Sequence, residues 1–267
     1  MKSFLRKLLT LKLWILQAAL RPFFSQPVVA VLVYHSVDDT NWFYGVSPGA
    51  FRQQMEYLKR YCRPVTFQEV VSYAKGEIKL SPRSVAVTFD DGYANVVEAA
   101  FPVLRDYGIP MTIFLTTSPE ANRKELDNSF PIASWDQIRD MARSGLVTVG
   151  AHGATHVRLD TIPPELLERE IYESQRTIEK ELDGPPKFFA YPKGLFSKEV
   201  VEAVKRHGFE AAAAAKQGIV RPGDDPYAIK RVAVHRGIGE WEFKARLTAA
   251  IDWITYWWVL YQRLISR

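Results

Sequence analysis

The sequence is poor in several things that common architectures require. Its single cysteine, Cys62, leaves no intramolecular disulfide framework and no cysteine-rich zinc site, so any metal must be held by histidine and carboxylate. Cys62 itself reads as an ordinary packed residue. No internal repeat occurs, and no low-complexity stretch beyond Ala211–Ala215, which excludes a repeat architecture. No basic stripe stands out either: 35 basic residues against 30 acidic ones give a formal charge of +5, a nearly balanced surface without a nucleic-acid motif, and no nucleic-acid partner is expected. Apolar runs long enough to span a membrane are also missing. Near the N-terminus Lys12 interrupts the run from Phe4 to Leu20, and no small-x-small cleavage site follows, so a cleaved signal peptide is not expected.

What is present is 267 residues with 47% hydrophobic content, enough for one substantial core and a single domain of α/β barrel size. Short apolar runs alternate with amphipathic segments, the pattern of strand-helix units around a parallel sheet. The candidate strands are Val28–Tyr34, Val85–Phe89, Met111–Leu115, Leu146–Ala151, Lys187–Tyr191, Phe209–Ala213 and Ala228–Val234, and seven of them suggest a barrel. Ser134 and Gln137 form a capping-box pair before a helix that stops at Gly145, Ser197 opens another that ends near Gly208, and Pro163 and Pro164 precede a long helix over Glu165–Leu182. His207 reads as a surface residue near a helix end. Ser118–Pro131 reads as an irregular loop over one end of the barrel, where such folds build their sites.

The ends differ from the middle. Residues 1–26 form a basic amphipathic segment, residues 27–239 the barrel, and residues 240–267 an amphipathic helix bearing Trp241, Trp253, Trp257 and Trp258, with Leu247, Ile251, Ile254, Trp258 and Tyr261 at helical spacing. Basic and aromatic side chains on such helices suit a bilayer headgroup layer; packing on the barrel or on a second subunit is the plainer reading.

The chemistry concentrates in two strings. Thr88-Phe89-Asp90-Asp91-Gly92-Tyr93 closes the apolar run Val85–Val87, and two adjacent carboxylates at the end of a buried strand are costly unless a cation or proton compensates them. An Asp-Asp-Gly turn is the plainer alternative. The run Leu146–Ala151 leads directly into His152-Gly-Ala-Thr-His156, so two of the five histidines fall four residues apart at a strand end. One carboxylate and two imidazoles make a three-ligand set that leaves positions open for water and substrate, which is a catalytic rather than a structural arrangement.

These strings, with Phe188-Phe189-Ala190-Tyr191-Pro192-Lys193-Gly194, together resemble the polysaccharide deacetylase family, the nodulation-type deacetylase domain, over roughly residues 28–236. The resemblance implies a distorted (β/α)7 barrel. It also implies one divalent metal, zinc first and cobalt, nickel or manganese as alternatives, held by Asp91, His152 and His156, with Asp90 as the general base. A backbone N–H near Tyr93 would help the metal hold the oxyanion of the substrate, and the third string, through Tyr191, Pro192 and Gly194, would form the substrate groove. Val31-Leu32-Val33-Tyr34-His35-Ser36-Val37 is similar to the N-terminal string of the circularly permuted poly-N-acetylglucosamine deacetylases and makes His35 the general acid; His235 is the competing candidate. The family's usual arginine before the third string is absent here, and Arg231 is the candidate to orient Asp90 in its place.

The expected function is metal-dependent hydrolysis of the N-acetyl group of an amino sugar in a polysaccharide or glycan. Deacylation, whether deacetylation or deformylation, of a polyprenyl-lipid-linked amino sugar is the alternative that the two terminal helices motivate, with the protein peripheral on the bacterial inner membrane, on a side left open. A non-catalytic carbohydrate-binding pseudoenzyme is the alternative of another class.

Overall fold

A computed structural model describes residues 28–118, 126, 130–249 and 251–252. Strands β1 (Val29–Tyr34), β2 (Ser36–Val37) and β3 (Gly45–Val46) precede helix α1 (Pro48–Tyr61), strand β4 (Arg63–Pro64) and helix α2 (Phe67–Ala74). Then come β5 (Ser84–Phe89), α3 (Phe101–Tyr107), β6 (Met111–Leu115), α4 (Trp135–Arg143), β7 (Val147–Ala151), α5 (Pro164–Leu182), β8 (Phe188–Ala190), α6 (Lys198–Arg206), β9 (Ala211–Ala213), β10 (Val232–Ala233) and α7 (Glu240–Arg246).

The strands form a parallel sheet in the order β10-β1-β5-β6-β7-β8-β9, with β4 paired to the start of β5. Its two ends meet one segment: Ile229 bridges to Ala213 on β9, and Val232 pairs with Leu32 on β1. The sheet therefore curls into the expected (β/α)7 barrel. The predicted strand Ala228–Val234 is real as a path but regular only over Val232–Ala233, because it passes from one barrel neighbour to the other within three residues.

Alternation along the strands sorts the apolar residues into two cores. Ala30, Leu32 and Tyr34 of β1, Val85, Val87 and Phe89 of β5, and Phe189 of β8 point outward into the layer beneath the helices. Val29, Val31, Ala86, Phe114, Phe188, Ala190, Ala211 and Ala213 point inward, and Phe67, Val70 and Val71 of α2 close that inner cluster. The inward parity at the C-terminal strand ends carries Val33, Asp90 and Ala233, and these open onto a cavity.

Helix starts follow their caps. The Ser134–Gln137 capping box is present, and a second one, Thr66–Glu69, opens α2. Cys62 lies half-buried at the end of α1, where burial pushes its thiol up to about 11, so it is an unreactive thiol at neutral pH.

The proposed N-terminal segment 1–26, residues 253–267 and most of the Ser118–Pro131 loop lie outside the described residues. The start of the C-terminal segment packs on the body: Phe243, Leu247 and Ile251 are buried in the outer core, and Arg246 pairs with Glu242 at 2.9 Å while donating to the Ala233 carbonyl. No described helix is long and apolar enough to cross a membrane.

Candidate metal centre and active site

The β5 strand ends in an unusual turn. Asp91 has φ 72 and Gly92 φ 89, two successive left-handed residues that fold the chain back over the strand end. Only glycine fits the second position, since a Cβ there would approach Leu115 Cδ2 to 2.8 Å. On the next wall β7 delivers His152 with the inward parity of Gly150, and the turn after it carries His156 at φ 63. Two non-glycine residues held in the left-handed region, both in one side-chain cluster, mark where the fold maintains strain for a purpose.

Asp91, His152 and His156 offer ligand atoms that all lie within 4.8 Å of one another. Both imidazole Nε2 atoms face Asp91 Oδ1, at 3.5 Å from His152 and 3.2 Å from His156. That carboxylate oxygen is buried and accepts no well-formed hydrogen bond among the described residues. A buried oxygen ringed by two nitrogens at these distances is the donor set a divalent cation satisfies, so the residues fit the metal their sequence implied.

The surroundings set each ligand in its binding form. His152 Nδ1 donates to the Ala190 carbonyl at 2.8 Å, which fixes the tautomer and leaves Nε2 with a lone pair. Burial lowers its pKa to about 4, so the ring is neutral at pH 7. Burial alone would push the Asp91 carboxyl up, but the adjoining His156, with the fields of His35 and His152, holds it well below the carboxylate range.

Asp90 is not one of the three ligands; Arg231 grips it with two bonds of 2.7 Å each. Both side chains are buried, and the guanidinium also donates to the Ala214 carbonyl and lies over the Phe114 ring. Burial raises the Asp90 carboxyl, but the Arg231 charge and hydrogen bonds, with the fields of His152 and His35, together hold it below its ordinary value, and the group stays ionised. Arg231 therefore lies in direct contact with the carboxylate it is expected to orient.

A cavity of about 340 Å³ opens beside these groups, lined among others by His35, Trp42, Tyr44, Asp90, Asp91, Tyr93, His152, His156, Lys193, Gly194 and Arg231. His35 lies on its wall, and its buried Nδ1 has no hydrogen-bond partner among the described residues. His235 does not line it. Its ring stacks on Phe43 at 4.4 Å, and its Nδ1 accepts from the Gly237 N–H.

The third string is placed differently from the groove expected of it. Tyr191 is fully buried with the outward parity of Phe189, stacked on Phe196 at 4.5 Å, and its hydroxyl donates to the Tyr227 carbonyl. Pro192 is buried beneath the histidine turn, 3.3 Å from where a Cβ on Gly153 would lie. Only Gly194, with Lys193, reaches the cavity. Gly194 has φ 68, and a Cβ there would sit 1.9 Å from that of Ala215.

Sequence reasoning missed the residue that holds the histidine turn. Glu170 on α5 is buried and accepts from the Ala154 N–H (3.0 Å), the Thr155 N–H (2.9 Å) and the Thr155 hydroxyl (2.6 Å). The signal was available: Glu170 falls on the apolar stripe Leu167, Ile171, Ser174, Ile178, where an unpaired carboxylate has no place. Glu170→Ala removes the acceptor facing two N–H groups and is expected to weaken metal binding about 10–100-fold, as loss of an outer-sphere partner does. Zinc titration against a competing chelator measures this, and unchanged affinity would limit Glu170 to a role in stability.

Comparison with known proteins gives a consistent picture. The polysaccharide deacetylase profile matches residues 77–212. A putative polysaccharide deacetylase of Bacillus subtilis, YxkH, is 26% identical over 216 residues, covering 80% of this chain and 74% of that one. The poly-beta-1,6-N-acetyl-D-glucosamine N-deacetylase of Staphylococcus epidermidis is 28% identical over 214 residues, 74% of this chain and 73% of its own. Among solved structures, IcaB from Ammonifex degensii superposes with a TM-score of 0.74 at 30% identity, over 84% of this chain and 97% of that one.

Proposed function

The chain belongs to the polysaccharide deacetylase family, and from that premise we propose that it removes N-acetyl groups from an N-acetylglucosamine polymer by metal-dependent hydrolysis. One observation carries the reading: Asp91 converges with His152 and His156, while its neighbour Asp90 stays out of that cluster, ionised and locked by Arg231. A metal ligand and a proton acceptor side by side in the chain are what amide hydrolysis at a cation requires.

A divalent ion held by the three ligands would polarise the acetyl carbonyl and make the attacking water more acidic. Asp90 takes the proton of that water as its oxygen bonds to the carbonyl carbon. His35, from the cavity wall, gives a proton to the amine as the C–N bond breaks, leaving acetate and a free amino sugar. The low dielectric of the buried site strengthens each of these charge interactions relative to bulk water. The relative named as acting on poly-beta-1,6-N-acetyl-D-glucosamine supports a polymer of that sugar as the substrate class.

Acetate release from β-1,6- and β-1,4-linked N-acetylglucosamine oligomers, with formate followed in parallel, tests this. Turnover is expected to vanish after chelation and to return with zinc. Undiminished turnover in protein shown to be free of metal, or no acetate from any oligomer with metal restored, would remove the proposal.

A further inference from the structure

The strand that begins directly after Arg231 has little of its own to hold it. β10 is two residues long and stands at the end of the sheet order, paired to β1. The Val234 N–H donates to the Val33 carbonyl, and because peptide groups alternate in direction along a strand, the Ala233 carbonyl turns to the opposite, open edge. There it meets α7. Arg246 Nη1 donates to the Ala233 carbonyl at 3.3 Å, and the same guanidinium is fixed by Glu242 Oε1, 2.9 Å from Nη2 and 3.3 Å from Nε. Arg246 is 5% and Glu242 1% exposed, on a helix whose Phe243 belongs, with Leu247 and Ile251 after it, to the outer core. A buried ion pair stabilises a fold no better than a well-packed apolar pair of the same volume, because both charges lose their water. The backbone group it serves explains its place: an apolar side chain at position 246 would fill the space but leave the Ala233 carbonyl without this donor.

We propose that Arg246 is a positioning residue for the reaction: from α7 it holds β10, β10 places Arg231, and Arg231 holds the Asp90 carboxylate. The inference rests on the hydrolytic reading above and extends it to a helix whose residues do not line the cavity. Ala233 does line it, and Arg231 lies two residues earlier, with its N–H on the Lys216 carbonyl (2.9 Å) and its guanidinium on the Ala214 carbonyl and on Asp90. A slip of β10 along β1 would carry the Arg231 backbone with it and draw the guanidinium off the two Asp90 oxygens, each now 2.7 Å away. Misplacing a reacting group by about 1 Å can cost about 100-fold in rate, even when the cause lies far from the chemistry. Residues 240–246 are on this account a working part of the barrel.

Steady-state kinetics on an N-acetylglucosamine pentamer, with zinc-loaded wild type, Arg246→Met, Arg246→Lys and Arg231→Met, test this. Arg246→Met is expected to lower kcat about 10–100-fold with KM and zinc affinity close to wild type, and Arg246→Lys, which keeps a cationic donor, to recover most of the loss. In an Arg231→Met background Arg246→Met is expected to cost little further, since a residue that acts through Arg231 then has nothing to act on. Because Arg246→Met strands the Glu242 charge and can unfold the chain, Glu242→Leu combined with Arg246→Met is the second arm: no charge stays buried, the fold is kept, and kcat falls as before. Wild-type kcat in either folded protein, a fall confined to KM, or a loss that adds in full to that of Arg231→Met overturns the proposal. Hydrogen exchange over Val232–Val234 needs no substrate; it is expected to quicken in Arg246→Met, and exchange equal to wild type would overturn the clamp whatever the protein hydrolyses. Quickened exchange in the variant beside a wild type that releases no acetate would sink the hydrolase reading and leave the strand clamp standing, so the two failures are told apart.

Discussion

Asp91→Ala is expected to lose its metal and its turnover together, whereas Asp90→Asn keeps the metal and loses turnover alone. The two carboxylates are adjacent in sequence, yet the left-handed backbone at Asp91 and Gly92 turns them to opposite tasks. Asp91 supplies the oxygen that both imidazoles face, so removing it leaves two ligands; because losing an outer-sphere partner alone costs about 10–100-fold, a larger fall in affinity follows. Asn at position 90 keeps the shape of the side chain and one acceptor for Arg231 but takes no proton, and the absence of a general base costs about 10²–10⁴-fold. Metal content after dialysis, read beside acetate release, separates the two variants. Stoichiometric zinc with full turnover in Asp91→Ala would end the metal assignment, and full turnover in Asp90→Asn would move the base elsewhere.

How much of this was legible without coordinates depends on how local each signal was. Asp90, Asp91, His152 and His156 sit where largely apolar strands stop, and the two charged strings together, one carboxylate pair and one histidine pair, announced them. The barrel was legible for a similar reason, since β5 and β6 read as short, mostly apolar runs interrupted only by Ser84, Thr88 and Thr112. Tyr191 shows a local signal left unread: in Phe188–Tyr191 the residues alternate in and out, Ala190 faces the barrel, and Tyr191 must therefore face the helices. Helices α1, α2 and α3 lay between the motifs and carried no chemistry to draw the eye. The Arg246 and Glu170 clamps depend on contacts between segments, and such pairings leave little local trace. The Phe43 ring meets His235 from the far end of the sequence, because β1 and β10 are neighbours in the sheet, and nothing in either local stretch specifies the other.

Arg231 makes the same point most sharply, because its partner is 141 residues away. Removing one member of a buried ion pair strands the other, so Arg231→Met is expected to cost about 3–5 kcal/mol of stability, measurable by denaturant unfolding of the zinc-loaded protein. The pH dependence should move as well, and its direction can be worked out. In the wild type Arg231 holds the Asp90 carboxyl below its ordinary value, so the pair's contribution is present above the carboxylate range and is lost as pH falls through that lowered pKa. Without the guanidinium, burial acts on Asp90 against only the fields of His152 and His35, and its pKa rises, so a larger fraction of the base is protonated at any given acidity. The acid limb of the turnover profile should therefore shift to higher pH in Arg231→Met, with activity partly recovered on the alkaline side, while Arg231→Lys, which keeps the charge but loses the two-pronged grip, should lie between. A residue that only supported the fold would scale the profile down without displacing it. An acid limb in the methionine variant that coincides with that of the wild type would show that Arg231 does not set the ionisation of Asp90.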